Sequence, residues 1–334
     1  MEKYKSAGIN IPALHQVGIV VNDLEKTVRD YWNILGIGPW AILTLRDPDV
    51  YDTTYHGKPV PTEIKAAFAQ VGECELELLE TVKGATIYSD FIRAHGEGLH
   101  HVQYVVPSVG VIDAHAEAFG KLGFRSVGSG RFGNNGGWNY VDTTSALKTI
   151  WEQVKMADEF SGPASQYPED ESEVSPARIK VKGITLVGIV VKSLEETMQN
   201  YWDILGVGPW RVCEVHPPTL SGETYHGKPG DFTMRVSFAN IGAMQVELLQ
   251  PVSGSNIYSD FLAQHGEGLH HIQFLSDGIN KTTETMGRSG FPLLMGGNFS
   301  NGAFAYYDTI KPLKCIWEAF QPPTNLPPMA KFPC

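Results

Sequence analysis

The sequence predicts an α+β protein made of two tandem halves, each running strand–helix–three strands twice to give a cupped mixed sheet. Three observations carry that expectation. The heptapeptide His-Gly-Glu-Gly-Leu-His-His at His95–His101 returns letter for letter at His265–His271. Around it, Val17-Gly-Ile-Val-Val, Tyr31-Trp-Asn-Ile-Leu-Gly, Thr54-Tyr-His-Gly-Lys-Pro and Glu77-Leu-Leu reappear at one constant spacing. Their counterparts begin at Val187, Tyr201, Thr224 and Glu247. The register runs on until Ile150-Trp-Glu meets Ile316-Trp-Glu at a slightly shorter spacing, so the chain is a tandem duplication.

Each half opens on an apolar strand, residues 16–21 in the first. Asn22 and Asp23 can cap a helix, with Glu25 at capping-box distance from Asn22. Leu24, Val28, Tyr31 and Leu35 share one helical face, repeated by Leu194, Met198, Tyr201 and Leu205, and Gly36 ends the helix. Three strand-like segments lead to Glu75-Leu-Glu-Leu-Leu. The Ile-Tyr-Ser-Asp-Phe stretch begins a short helix that Gly96-Glu-Gly stops, because glycine takes the left-handed conformation cheaply. A strand headed by imidazoles follows, then a helix over 110–122, a turn-rich stretch and a last strand in Thr-Ile-Trp-Glu-Gln-Val. The halves are expected at 10–156 and 181–322. A polar, acidic, proline-containing linker joins them over 157–180, and an extended tail covers 323–334.

Composition narrows the function. Hydrophobic content of 42% suits a globular core, and a net charge of −11 argues against nucleic-acid and anionic-membrane partners. No run approaches the roughly 18 apolar residues of a membrane span. The opening Met-Glu-Lys-Tyr-Lys lacks the apolar core of a signal peptide, so a cytoplasmic location is expected. Cys74, Cys213, Cys315 and Cys334 show no Cys-x-x-Cys spacing and read as reduced thiols, with Cys334 free on the tail.

A fainter symmetry lies inside each half. Gln16 opens the first strand as His101 opens the fifth, and Glu77 sits in the fourth strand as Glu152 sits in the eighth. A pseudo-twofold axis relating the two modules would bring these four side chains together on the concave sheet. A lone Glu or His in a strand is usually a satisfied polar group; four that converge are a candidate metal site. Glu75 shares the face of Glu77, at the site's edge. His100 and His270 are expected to face away from their neighbours by strand alternation and to pack structurally. The paired tryptophans Trp32, Trp40, Trp202 and Trp210 read as core.

On these letters (Gly-Glu-Gly-Leu-His-His before a strand, Val246-Glu-Leu-Leu-Gln-Pro, and Val-Gly-Ile-Val-Val followed by Tyr-Trp-x-Ile-Leu-Gly) the chain resembles the vicinal oxygen chelate superfamily. That superfamily includes glyoxalase I, methylmalonyl-CoA epimerase and extradiol dioxygenases, and the chain is most similar to the epimerase and glyoxalase I branch. The resemblance implies metal ligands on strands one, four, five and eight of each half. In the first they are Gln16, Glu77, His101 and Glu152; in the second, Glu247, His271 and Glu318. Two departures stand out. Epimerases usually carry His where this chain has Gln16, although animal-type glyoxalase I has Gln there; the neighbouring His15 is out of register. In the second half that position is Leu186, which binds no metal.

One His with two Glu is a mostly hard-oxygen shell, suited to Mn, Co, Ni, Mg or Zn. Extradiol iron chemistry normally uses two His and one carboxylate, which leaves Lewis-acid chemistry. The expected activity is that of a metal-dependent isomerase or epimerase moving an α-proton through a metal-stabilised enolate of a small carbonyl compound. Glu152 is the first candidate base, Glu77 stands opposite it, and Glu318 is its second-half counterpart. An acyl-CoA epimerase or glyoxalase-type lyase, and a sequestering protein without turnover, are the alternatives. The Tyr-His-Gly-Lys-Pro repeat is good turn chemistry. It also gathers Tyr55, His56 and Lys58, and in the second half Tyr225, His226 and Lys228. The histidines are candidate acid–base groups, the tyrosines and lysines candidate substrate contacts. The halves are expected to dock as an intramolecular pseudo-dimer, a further homodimer being open.

Overall fold

The computed structural model describes residues 8–159, 164–170, 172–324 and 329–332. The first half runs β1 (Gln16–Val20), α1 (Leu24–Leu35), β2 (Trp40–Leu45), β3 (Val50–Tyr55), β4 (Lys58–Pro59), β5 (Glu63–Val71), β6 (Cys74–Lys83) and α2 (Ile87–His95). It continues with β7 (Gly98–Val105), α3 (Val109–Lys121), β8 (Arg125–Phe132), β9 (Gly136–Asp142), α4 (Thr144–Leu147), β10 (Ile150–Lys155) and β11 (Ala164–Tyr167). The second half repeats the order as β12 (Ile184–Val190), α5 (Leu194–Leu205), β13 (Trp210–Val215), β14 (Ser221–Tyr225), β15 (Lys228–Pro229), β16 (Thr233–Ile241), β17 (Met244–Ser253) and α6 (Ile257–His265). Its remainder is β18 (Gly268–Leu275), α7 (Ile279–Arg288), β19 (Leu293–Phe299), β20 (Gly302–Tyr307), α8 (Ile310–Leu313), β21 (Ile316–Gln321) and β22 (Ala330–Phe332).

Each half forms its own mixed sheet. The first has the order β11-β2-β5-β6-β1-β7-β10-β9-β8-β3-β4, the second β15-β14-β19-β20-β21-β18-β12-β17-β16-β13-β22. Each sheet is built from two βαβββ modules, as the sequence leads one to expect. The centre of the first sheet is β6-β1-β7-β10: β1 runs parallel to β6 and antiparallel to β7, and β7 runs parallel to β10. The β3–β4 hairpin does not stay in its own module. It crosses to pair with β8 of the other, closing the cup's far rim.

Several local details differ from the sequence reading. Asp23, not Asn22, caps α1 and accepts from the Lys26 amide at 2.9 Å. With Asp23 as the cap, Lys26 and not Glu25 stands at the capping-box position, and Glu25 meets Lys65 at 2.6 Å. The stretches expected as linker and tail each contain a strand. β11 adds antiparallel to β2, and β22 adds antiparallel to β13, so each covers an otherwise bare sheet edge. Trp40 and Trp210 are fully buried, but Trp202 is 41% exposed and is not core. Cys74 and Cys315 are buried free thiols and Cys213 is half-buried; Cys334 lies outside the described residues. Among the described residues no helix is long and apolar enough to cross a membrane.

The largest apolar core is continuous across both halves, joining Val17, Ile19 and Trp151 to Val187, Ile189 and Trp317. Contacts between the halves come in matched pairs. Tyr31 meets Trp317 edge-on at 6.1 Å and its hydroxyl donates to the Leu313 carbonyl at 2.7 Å. Tyr201 meets Trp151 at 6.4 Å and donates to the Leu147 carbonyl at 3.0 Å. Lys314 pairs with Glu97 at 2.8 Å, and Lys148 with Glu267 at 3.0 Å. The lead-in segments cross over as well. The Leu14 amide donates to the Ile241 carbonyl in the second half, and the Val181 amide donates to the Leu35 carbonyl in the first.

Candidate metal centre

The register of the four central strands sets two rungs on one face of the first sheet. Glu75, Gln16, Gln103 and Glu152 lie side by side in one; Glu77, Gly18, His101 and Ile150 lie side by side in the next. Gly18 makes the second rung possible. A Cβ built there would stand 1.9 Å from Cε1 of His101, so the imidazole occupies the space that any other residue would fill. Laid across Gly18, His101 brings its Nε2 to 3.2 Å from Glu77 Oε2 and 3.3 Å from Glu152 Oε2. These separations suit ion pairs, yet the groups are not aligned for hydrogen bonds. Glu77 Oε2 and His101 Nε2 are buried with no hydrogen-bond partner.

Buried polar atoms left without partners are costly, and three lone-pair-bearing groups facing one point are what a cation would satisfy. Among the described residues two such groups converge, Glu77–His101–Glu152 and Glu247–His271–Glu318, each with its ligand atoms within 4.8 Å of one another. The second repeats the first closely. A Cβ at Gly188 would stand 1.9 Å from His271 Cε1, and His271 Nε2 lies 3.4 Å from Glu247 Oε2 and 3.2 Å from Glu318 Oε2.

The electrostatics follow from burial. Desolvation pushes the Glu77 carboxyl up to about 7, against the pull of His101 and with help from the charge of Glu152. Burial alone would lower His101, but the nearby carboxylates of Glu152 and Glu77 outweigh it and lift the imidazole to about 9. Without a cation the cluster therefore holds protons. Beside it, His100 is held well below the usual histidine range by burial and by the neighbouring His101. The pairing skips a residue between Gly18 and Ile19, so His100 sits at a β-bulge. The bulge defeats alternation: the two imidazoles are neighbours, with Nδ1 atoms 3.0 Å apart. In the tautomer with the His101 proton on Nδ1, shared with His100, Nε2 would be left free as a ligand. Tyr88, Phe91 and Tyr140 pack edge-on around this pair, and the Tyr88 hydroxyl donates to that of Tyr140 at 2.9 Å.

Comparison with known proteins fits this geometry. The profile of the Glyoxalase/Bleomycin resistance protein/Dioxygenase superfamily matches residues 15–141 and again 187–307, more than half of the chain. The chain belongs to this superfamily. It is 28% identical over 138 residues to the mitochondrial methylmalonyl-CoA epimerase of Mus musculus, a match covering 41% of this chain and 67% of that protein. A variant of 4-hydroxymandelate synthase from Streptomyces coelicolor shares the fold at a TM-score of 0.59 and 14% identity, over 94% of this chain and 93% of that one. An Mn(II)-bound glyoxalase from Novosphingobium aromaticivorans does so at 0.50 and 11% identity, over 93% and 82%. The superfamily is one of metal-dependent glyoxalase, dioxygenase and epimerase enzymes, and both buried Glu–His–Glu groups could hold its divalent ion.

The other residues singled out in the sequence fall into two places. Gln16 lies in the first rung. Its Nε2 donates to Glu75 at 2.6 Å, and its Oε1 accepts from Gln103 Nε2 at 2.7 Å. Gln103 Nε2 also donates to Glu152 Oε2 at 3.0 Å, so Gln16 orients the triad through Gln103. His15 is not part of the rung; its Nδ1 accepts from the Val105 amide. In the second half Leu186 stands for Gln16 and Gln245 for Glu75, and Gln273 instead accepts from Thr185 at 3.0 Å while still donating to Glu318. The Tyr-His-Gly-Lys-Pro repeat builds the β3–β4 and β14–β15 hairpins, with left-handed φ at His56 (46°) and Gly57 (74°), as a two-residue hairpin turn requires. Tyr55 donates to Asp90 on α2 at 2.6 Å, and His56 lies 3.4 Å from the same oxygen. Tyr225 and His226 meet Asp260 likewise, at 2.7 and 3.8 Å. Asp90 pushes the Tyr55 phenol up, which makes it a donor rather than a base. Lys58 and Lys228 are exposed. The hairpin groups therefore form a constellation of their own, tied to α2 and α6. Gln103 and Tyr88 escaped the sequence reading. The repeated His-x-Gln and Ile-Tyr-Ser motifs were the available signals, since Gln103 follows His101 by two residues on one strand face.

Proposed function

We propose that the chain is a metal-dependent isomerase or epimerase acting on a small carbonyl compound by α-proton transfer. The observation that carries this is the convergence of Glu77, His101 and Glu152 in a buried site above Gly18, with Glu77 Oε2 and His101 Nε2 lacking hydrogen-bond partners. In this reading those three residues hold the ion, with Gln16 beside them, and Glu247, His271 and Glu318 hold a second. A bound divalent ion supplies Lewis acidity to a substrate oxygen. The chain's own groups do the rest. Gln103 fixes the rotamer of Glu152, and His100 shares the Nδ1 proton of His101. Glu152 takes the α-proton while the electron pair of the broken C–H bond moves into the carbonyl. Glu77, protonated at the outset, gives its proton to the other face to form the epimer or, where the substrate is an α-hydroxycarbonyl, to the former carbonyl carbon to form the isomer. His56 and Lys58 stand at the rim as candidate contacts for polar groups of the substrate, with Tyr55 holding α2 in place.

The domain limits proposed for this enzyme are 10–156 and 181–322. The 28% identity to methylmalonyl-CoA epimerase favours an acyl-CoA as a second reading of the substrate. The test is elemental analysis of purified protein, followed by NMR of solvent-deuterium incorporation at the α-carbon of candidate ketones, hydroxyketones and acyl-CoA thioesters. Incorporation that needs metal and disappears in Glu152→Gln supports the proposal. Metal-independent binding of an apolar compound without exchange would favour sequestration.

A further inference from the structure

The two triads are nearly superimposable in their internal distances, but the cups above them are not alike. We infer that only the first cup admits a bulky organic ligand beside its metal, and that Gly128 against Met295 is the pair that decides this. The inference rests on the triads being metal sites.

Gly128 pairs with Tyr140 across β8–β9, and Met295 pairs with Tyr306 across β19–β20, so they occupy the same place in the two halves. Each tyrosine lies edge-on to its triad histidine, with ring centroids 5.0 Å apart. A side chain at this position therefore enters the cup next to the ligands. A Cβ built on Gly128 would meet Ile87 and Tyr140 at ordinary contact distance, 3.6 Å from each, so the first cup lacks a side chain at a place where one would fit. In the second half Met295 fills that space. It is 0% exposed and packs among Ile257, Tyr258, Tyr306 and Ile316.

Three positions on β5 and its lead-in change in the same sense, while Trp138 of the first half stands where the second has the smaller Phe304. Thr62, Ile64 and Ala66 of the first half correspond to Phe232, Met234 and Val236 of the second. Phe232 is 1% exposed and belongs to the second cup's apolar cluster, whereas the smaller Thr62 is half-buried. Interiors pack to a fixed density, so larger side chains on the same strands leave less room. The second site keeps its three metal-directed groups under a plug of Met and Phe, and water or a very small ligand is what it can accept.

The test isolates each site with His271→Ala (first site only) or His101→Ala (second only), loads Mn²⁺, and titrates acetohydroxamate and benzohydroxamate. Both chelate through vicinal oxygens and differ by a methyl against a phenyl group. Binding is read as loss of the water-proton relaxation enhancement of the bound Mn²⁺. The expected result is benzohydroxamate affinity at least about tenfold higher at the first site, with a smaller difference for acetohydroxamate. Met295→Gly, and Met295→Ala in case the glycine variant folds poorly, should raise benzohydroxamate binding at the second site about tenfold. Gly128→Met should lower it at the first. Equal phenyl preference at both sites, or a folded Met295→Ala without effect, overturns the inference. Failure of both single-site proteins to bind Mn²⁺ overturns the metal reading itself.

Discussion

The two halves carry the same three converging side chains on the same rungs of the same sheet, and differ around them. In the first, Gln16 and Glu75 extend the hydrogen-bonded row and Gly128 places no side chain beside Tyr140; in the second, Leu186, Gln245 and Met295 stand at these places. Under the proposed function, the comparison would separate what holds an ion from what handles a substrate. The triad and the glycine beneath its histidine are duplicated intact, and the divergence lies in the residues that a ligand would meet. Duplication alone therefore does not imply two equal active sites.

The sharpest way to break this comparison is to remove one histidine at a time. His101→Ala should leave about half the metal and lower turnover by more than about 100-fold, whereas His271→Ala should halve the metal and spare most of the activity. Atomic absorption with a turnover assay checks both; equal losses of activity would make the halves functionally equivalent. Next in size is Gly18→Ala. Its new methyl would overlap the His101 ring, so metal affinity should fall on the order of 10–100-fold and stability by about 1–3 kcal/mol, measured by metal titration and urea unfolding. Gly188→Ala should do the same in the second half only, and a harmless Gly18→Ala would contradict the stacked geometry.

A smaller effect is expected from Gln16→Leu, which copies the second half into the first. Metal affinity at the first site should drop about tenfold, toward that of the second, and Leu186→Gln should close the gap from the other side. An unchanged affinity would confine Gln16 to the hydrogen-bonded row with Gln103. The smallest effect is on pH dependence. In the metal-free protein both Glu77 and His101 have folded-state values above their ordinary ones, so the folded state binds more protons than the unfolded. Stability of the metal-free protein should fall as pH rises from about 5 through about 9, first through the Glu77 range and then through that of His101. Metal affinity should rise over the same interval, because binding displaces those protons. Thermal melts with and without metal should diverge by a few °C; a metal-free melting temperature that climbs with pH would reverse the assigned shifts.

Much of this could be read from letters because duplication prints each functional position twice. The helical stripe of Leu24, Val28, Tyr31 and Leu35 and the strand positions of Glu77, His101 and Glu152 depend only on local periodicity, which sequence carries well. What escaped was set by non-local pairing. The bulge that turns His100 toward His101 has no signature in Leu-His-His, so alternation sent it to the wrong face. The β3–β4 hairpin was legible as a turn, but its crossing to β8 is a choice made by the assembled sheet. Asp23 rather than Asn22 takes the cap, and Glu25 pairs with Lys65 across to β5, a non-local contact. The difference between the cups came from Gly128 against Met295, whose alignment is clear only through their partners Tyr140 and Tyr306.

The crossed lead-ins have a consequence for how the molecule holds together. Ala13 lies against Gly242 and Gly183 against Gly72 so closely that a Cβ on either turn glycine would collide with the visiting strand. Each half is thus latched by the segment that introduces the other. A protease cut in the acidic stretch between the halves should leave the two pieces clasped, running as one particle on gel filtration. Trimming the chain ahead of Gln16 should instead loosen the half that lies farthest away in sequence.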